Sequence, residues 1–200
     1  MKKIMFNDKY GLTQAVLEGR KTMTRRAISE DVWQRADVYR HKYYEDTLGL
    51  LPAKKALIEF SPFKPGEVVA VAQSLRDMGY DPSKKDWGRG IIWGLEKTPQ
   101  WTNKMFVSAS ECIHQIRIMN VRVERLQDIS DADCMREGIM EGEFMNTWDT
   151  FYYDKWGEVP NHITFKSPRE AFAALIDKVY GRGTWQANPY CFCYTFELVK

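Results

Sequence analysis

The sequence predicts an α+β protein: a small mixed β-barrel with peripheral helices and helical or loop insertions. Three observations point there. Strand-like runs are separated by long connections rather than tight hairpins. The closing segment, Tyr190–Leu198, alternates aromatic residues in a β pattern. Ser167-Pro168-Arg169-Glu170 is a helix start, with an N-cap serine, proline at the first position and a glutamate closing the capping box. With 200 residues, 44% of them apolar, the chain is read as one domain over 1–200, interrupted by insertions at about 27–60, 75–104 and 140–166. The 7 Trp, 10 Tyr and 10 Phe argue against a disordered chain.

In chain order, Gly11–Glu18 reads as a short helix with Leu12, Ala15 and Val16 near one face and Gly19 as its stop. Gly19–Arg26 follows, with Arg20, Lys21, Arg25 and Arg26 set among β-favouring threonines. The Tyr-rich stretch after it reads as a helical insertion. Pro65-Gly66 is a turn into Val68–Ala72, a compact buried-strand run. The 75–104 stretch, rich in Gly, Pro, Lys and Trp, reads as a surface excursion. Ile116, Ile118, Val121 and Val123 alternate along a long strand, with a change of phase near Met119-Asn120 where a bulge fits. Ser130 opens a helix that Gly138 ends, with Asp133 completing a capping-box variant. After an aromatic insertion around Trp148 and Trp156, Phe172, Leu175, Ile176 and Val179 give the final helix one apolar face, and Gly181 stops it.

A formal net charge of +2 points to no partner by itself, so any nucleic-acid surface must come from local clustering such as Gly19–Arg26. Cys112, Cys134, Cys191 and Cys193 match no metal spacing and read as reduced, packed thiols. His41, His114 and His162 are scattered, so neither a metal nor an organic cofactor is expected. The N-terminal apolar stretch is too short for a signal peptide and no run reaches membrane-span length, so the expected location is cytoplasmic.

Five stretches together resemble the ASCH family, whose fold is PUA-like. They are Leu17–Arg26, Pro65–Val69, Val121–Ser130, Glu137-Gly138-Ile139, and the closing Trp185, Asn188-Pro189 and Phe196-Glu197. Phage and prophage members are the most similar. The resemblance covers the framework and leaves the insertions unexplained. It also has a departure: Gln73 stands where many phage-type members carry a glutamate.

One branch of that family removes the acetyl group from 4-acetylcytidine. The resemblance implies Lys21, Thr24 and Glu137 as catalytic residues. Amide hydrolysis needs an activated nucleophile and a proton donor to the leaving amine. Lys21 would be the base, Thr24 the nucleophile or the group that orients a water, and Glu137 the proton shuttle. In a plain strand Lys21 and Thr24 face opposite sides, so a turn or bulge must bring them together. The second expectation is binding of RNA or a modified nucleoside without chemistry. There Arg20, Arg25 and Arg26 hold phosphates, Trp185 stacks on a base and Asn188 reads a base edge. The third is a phage structural or interaction protein that uses its aromatic insertions as a partner surface. Bland readings compete at each position: a solvated basic edge for the motif, an exposed helix end for Glu137, a corner aromatic for Trp185.

Overall fold

Two apolar runs form the middle of the molecule. In this computed structural model, residues 1–44, 53–81, 95–144, 147–153 and 164–199 are described. The strand elements of the main sheet are β1 (Lys3–Ile4), β2 (Met23–Ala27), β3 (Val68–Val71), β4 (Gln115–Arg125) and β7 (Tyr190–Leu198). Their order is β1-β3-β4-β7-β2, with β1 parallel to β3 and every other pair antiparallel. The protein is therefore a mixed α+β fold around a five-stranded, mostly antiparallel sheet.

β4 alternates buried Ile116, Ile118, Val121 and Val123 with exposed residues, and its register against β7 shifts between Ile118 and Asn120. That shift is the bulge predicted at the change of phase. In β7, Cys191–Tyr194 are all buried, because β4 and β2 flank the strand and its side chains join the main core cluster. β1 escaped the sequence reading, since two residues carry no periodicity.

The helices are α1 (Leu12–Leu17), α2 (Glu30–Tyr44), α3 (Ala53–Glu59), α4 (Pro99–Thr102), α5 (Asp131–Arg136), α6 (Pro168–Tyr180) and α7 (Thr184–Ala187). α2 and α3 occupy the first predicted insertion. The third contains a two-stranded hairpin, β5 (Met140–Phe144) and β6 (Thr147–Tyr152). Trp156 and much of the 75–104 excursion lie outside the described residues. α6 starts as predicted: the Ser167 hydroxyl accepts the Glu170 N–H at 3.2 Å, and the Glu170 carboxylate accepts the Lys166 N–H at 3.1 Å. It buries Phe172, Leu175 and Ile176 in a core cluster that reaches from Ile4 to Phe196.

The sheet curls until its two edges face each other. The chain leaving β1 brings Met5 and Phe6 to the far edge, where the Arg26 guanidinium of β2 donates to the Met5 carbonyl. Phe6 also packs on Phe196 of β7, ring centroids 5.7 Å apart. No strand ladder joins β1 to β2 among the described residues. The seam is closed by side chains, and it holds the site.

Candidate functional site

The segment entering β2 is fixed from both sides. Gly19 takes φ +73 after α1, a left-handed conformation that suits glycine. The Lys21 N–H then donates to Ala15 O and the Thr22 N–H to Arg136 O, both at 2.9 Å, tying the segment to α1 and to the end of α5. β2 begins only at Met23, so Lys21 stands outside the strand alternation. Lys21 and Thr24 consequently line one cleft.

α5 presents the third residue. The Ser130 hydroxyl caps it by accepting the Asp133 N–H, and Glu137 is its C-cap residue. Lys21 Nζ lies 2.6 Å from Glu137 Oε2 and 2.6 Å from the Glu137 carbonyl. The ammonium thus pairs with a carboxylate and caps a helix C-terminus with the same group. Gly138 makes room: it has φ +107, and a Cβ there would lie 3.4 Å from Leu12 and 3.7 Å from the Lys21 side chain. Lys21 is 3% exposed, Thr24 4% and Glu137 4%. Burial lowers the Lys21 pKa from its ordinary value, while the Coulombic pull and hydrogen bond of Glu137 act the other way.

Arg25 completes a charge network. Its Nη1 is 3.2 Å from Glu137 Oε1, and its Nη2 is 3.1 Å from Glu124 Oε2 and 3.2 Å from Asp133 Oδ2. Arg122 continues it outward, at 3.0 Å from Glu124 and 3.3 Å from Asp133. Tyr180 donates to the Arg25 carbonyl at 3.0 Å, and desolvation around its hydroxyl raises its pKa although the residue as a whole is 43% exposed. The sequence reading missed Glu124, Asp133 and Tyr180. Nothing in local spacing signals them, because each meets Arg25 across a separation of 99 to 155 residues.

The cleft above this network has a volume of about 40 Å³. Its polar wall is Lys21, Thr24, Arg25, Arg26 and Glu137. Met5 and Phe6 flank it, and Phe172, Leu175, Ile176, Val179 and Tyr180 of α6 form the opposite wall.

The remaining predicted residues fall elsewhere or are already engaged. Arg20 is exposed and pairs with Glu18 at 2.6 Å. Arg25 is 2% exposed, within the ion network. Trp185 and Asn188 lie at the far end of the β2–β7 ladder, whose five residue pairs span roughly 13 Å. Trp185 packs edge-on against Phe172, ring centroids 6.2 Å apart, with the Arg169 guanidinium 5.2 Å from its centroid. The Asn188 side chain accepts the Gln127 N–H at 2.8 Å from a left-handed backbone, φ 45. Gln73 is buried with its Oε1 2.6 Å from His114 Nδ1. It lines a separate cleft of about 510 Å³ on the other face of α1, with Thr13, Gln14 and Arg76.

Among the described residues no group of His, Cys, Asp and Glu could hold a metal ion, and no helix is long and apolar enough to cross a membrane. All four cysteines are free and buried. Compared with known protein families, curated proteins and solved structures, the chain matches none.

Proposed function

We propose that this chain is an ASCH-type amidohydrolase that removes a short acyl group from the exocyclic nitrogen of cytidine. The side-chain-closed sheet is, in this reading, an opened form of the PUA-like barrel. The observation that carries the proposal is the buried Lys21–Glu137 pair at 2.6 Å, sharing one cleft with Thr24. A desolvated lysine with a lowered pKa suits a base that takes a proton from Thr24 or from a water. The activated oxygen adds to the acyl carbon, the C–N bond breaks, and the proton passes through Glu137 to the leaving nitrogen. The acyl group ends as a carboxylate after water has delivered its oxygen.

A free nucleoside fits better than an RNA strand held by phosphate contacts. Of the four motif cations, Lys21 and Arg25 are buried in ion pairs and Arg20 is paired with Glu18. A cleft of about 40 Å³ takes the acyl group, and the base rests over the mouth near Met5 and Tyr180, which are 39% and 43% exposed. The four free thiols are in keeping with a reducing, cytoplasmic setting.

The test is incubation of the purified protein with 4-acetylcytidine and chromatographic detection of cytidine. Turnover is expected, with a loss on the order of 10²-fold in Thr24→Val, which removes one hydroxyl and keeps the volume. Folded wild-type protein that releases no cytidine refutes the hydrolase reading.

A further inference from the structure

Glu137 divides its two oxygens between two cations of different chemistry. Oε2 lies 2.6 Å from Lys21 Nζ, and Oε1 lies 3.2 Å from Arg25 Nη1. A lysine can give up its proton, whereas a guanidinium keeps its charge. Arg25 is also held by its own element. It sits mid-ladder on β2, opposite Cys193 of β7, and Tyr180 of α6 donates to its carbonyl. Its Nη2 reaches Glu124 of β4 and Asp133 of α5, so one side chain ties α5 to the sheet one turn before Glu137. Lys21 is placed differently. Its ammonium has three N–H groups, and two of them go to Glu137, one to Oε2 and one to the main-chain carbonyl. Among the described residues the third has no oxygen acceptor, and the Phe6 ring centroid is 5.9 Å away. Loss of that third proton leaves a lone pair and breaks neither bond to Glu137.

What such a loss ordinarily strands is the carboxylate, because a buried charge without its partner is costly. Here Arg25 remains. We propose that Arg25 is the positioning residue of this site: it stays on Glu137 Oε1 when Lys21 gives up its proton, so that Lys21 stands as a free amine beside an ionised Glu137. The surrounding charges support this. Arg122 lies on Glu124 and Asp133, Arg136 lies on Asp133, and Arg26 lines the cleft with no carboxylate partner among the described residues. With Lys21 and Arg25 these make five cations to three carboxylates, Glu124, Asp133 and Glu137, so the cluster keeps its counter-ions when Lys21 is neutral. The Cys191 and Cys193 thiols of β7 and the Tyr180 hydroxyl of α6 add no charge, since burial raises the pKa of each, and α1 carries no ionisable side chain. Burial lowers the Lys21 pKa, Arg26 and Arg25 push the same way, and Glu137 opposes them. The role in turnover rests on the hydrolase reading. There the Lys21 lone pair takes the proton of Thr24 or a water, Glu137 Oε2 passes a proton on to the leaving nitrogen, and Arg25 holds the carboxylate charged throughout.

The experiment is an NMR pH titration of the wild-type protein that follows the Lys21 side-chain Cε, the Glu137 carboxyl carbon and the Arg25 Nε–H. Lys21 should titrate below the ordinary lysine value of about 10.4. The Glu137 carbon should keep its carboxylate position through that step, and the Arg25 signal should move with it as Arg25 becomes the sole cation on Glu137. Three results overturn the proposal: a Lys21 that stays charged up to the ordinary value, a Glu137 carboxyl that loses its own proton in the step, or an Arg25 signal that does not respond. In Arg25→Met the Lys21 midpoint should rise by about one pH unit or more, as one nearby cation is lost, and the acidic limb of kcat/KM should move with it. An unmoved midpoint in a folded variant also overturns the proposal, and the three wild-type signals decide if the variant does not fold. The expected titration without release of cytidine from 4-acetylcytidine leaves the role of Arg25 standing and removes the hydrolase reading. Hydrolysis by a protein whose Lys21 stays charged up to the ordinary value does the reverse.

Discussion

At one end of the β2–β7 ladder, charge is buried; at the other, charge lies over aromatic rings near the surface. The Lys21 end packs Lys21, Arg25 and Glu137 out of contact with water, each held by ion pairs of 2.6 to 3.2 Å. The Asn188 end uses the same residue types differently. Arg125 lies 3.8 Å from the Tyr190 ring centroid, Arg169 stands over Trp185, and Asn188 serves a backbone N–H. Exposed contacts of that kind hold a corner together at modest cost. A buried ionic cluster is a weak device for stability, because desolvation offsets most of the attraction. The difference teaches where to look for function: the costly arrangement faces a cleft, and the economical one joins two elements.

The largest expected effect comes from removing the shared cation. Arg25→Met leaves Glu124, Asp133 and Glu137 without it and should cost about 3–5 kcal/mol of unfolding free energy, read by urea denaturation. At the other end, Asn188→Gly suits the left-handed backbone and loses only the bond to the Gln127 N–H. It should cost no more than about 1 kcal/mol in the same assay. Equal costs would erase the contrast between the two ends.

The pH dependence sharpens it. Burial holds the Lys21 pKa below its unfolded value, so between the two values the unfolded chain binds more protons and Lys21 makes stability rise with pH. The buried thiols act in the opposite sense. Burial pushes Cys134 and Cys191 up to about 12, so the stability they supply is complete below the unfolded thiol value and fades as pH climbs toward 12. Wild-type stability should therefore fall above about pH 8.5, where free thiols ionise. Lys21→Met, which lacks the compensating rise, should fall more steeply over the alkaline range up to about 10.4. Parallel wild-type and Lys21→Met curves in urea melts across that range would show that Lys21 ionises as freely in the fold as in the unfolded chain. The smallest effect is at the corner. Trp185→Phe keeps an aromatic ring beside Phe172 and weakens the stack with Arg169, for a loss of about 0.5–1 kcal/mol.

Much of the framework was legible because the signals were local. Ser167-Pro168 marked α6, the change of phase at Met119-Asn120 marked the bulge, the apolar run Val68–Ala72 marked β3, and aromatic alternation marked β7. The site was legible only in part. Lys21, Thr24 and Glu137 came from a family resemblance, and the obstacle of strand alternation disappears because β2 starts after Lys21. The partners of Arg25 were invisible, since a carboxylate 99 or 108 residues away leaves no periodic trace. Trp185 and Asn188 read as a base-recognition pair on residue type alone, and the turn between α6 and β7 carries them to the other end of the sheet.

The seam between β1 and β2 makes access a question of peeling. β1 is two residues long; its backbone pairs with β3, through amides such as Ala70 to Lys2 and Ala72 to Ile4, and the Lys3 ammonium donates to the Lys104, Met105 and Val107 carbonyls. One wall of the cleft is the short chain that follows it, latched to β2 by Arg26. Under the hydrolase proposal the hinge that admits the substrate is the first strand itself, and the exchange rates of the Ala70 and Ala72 amides become a gauge of how often the door swings. A purification tag fused ahead of Lys2 would hang its weight on that door, whereas one placed after Val199 would leave it free.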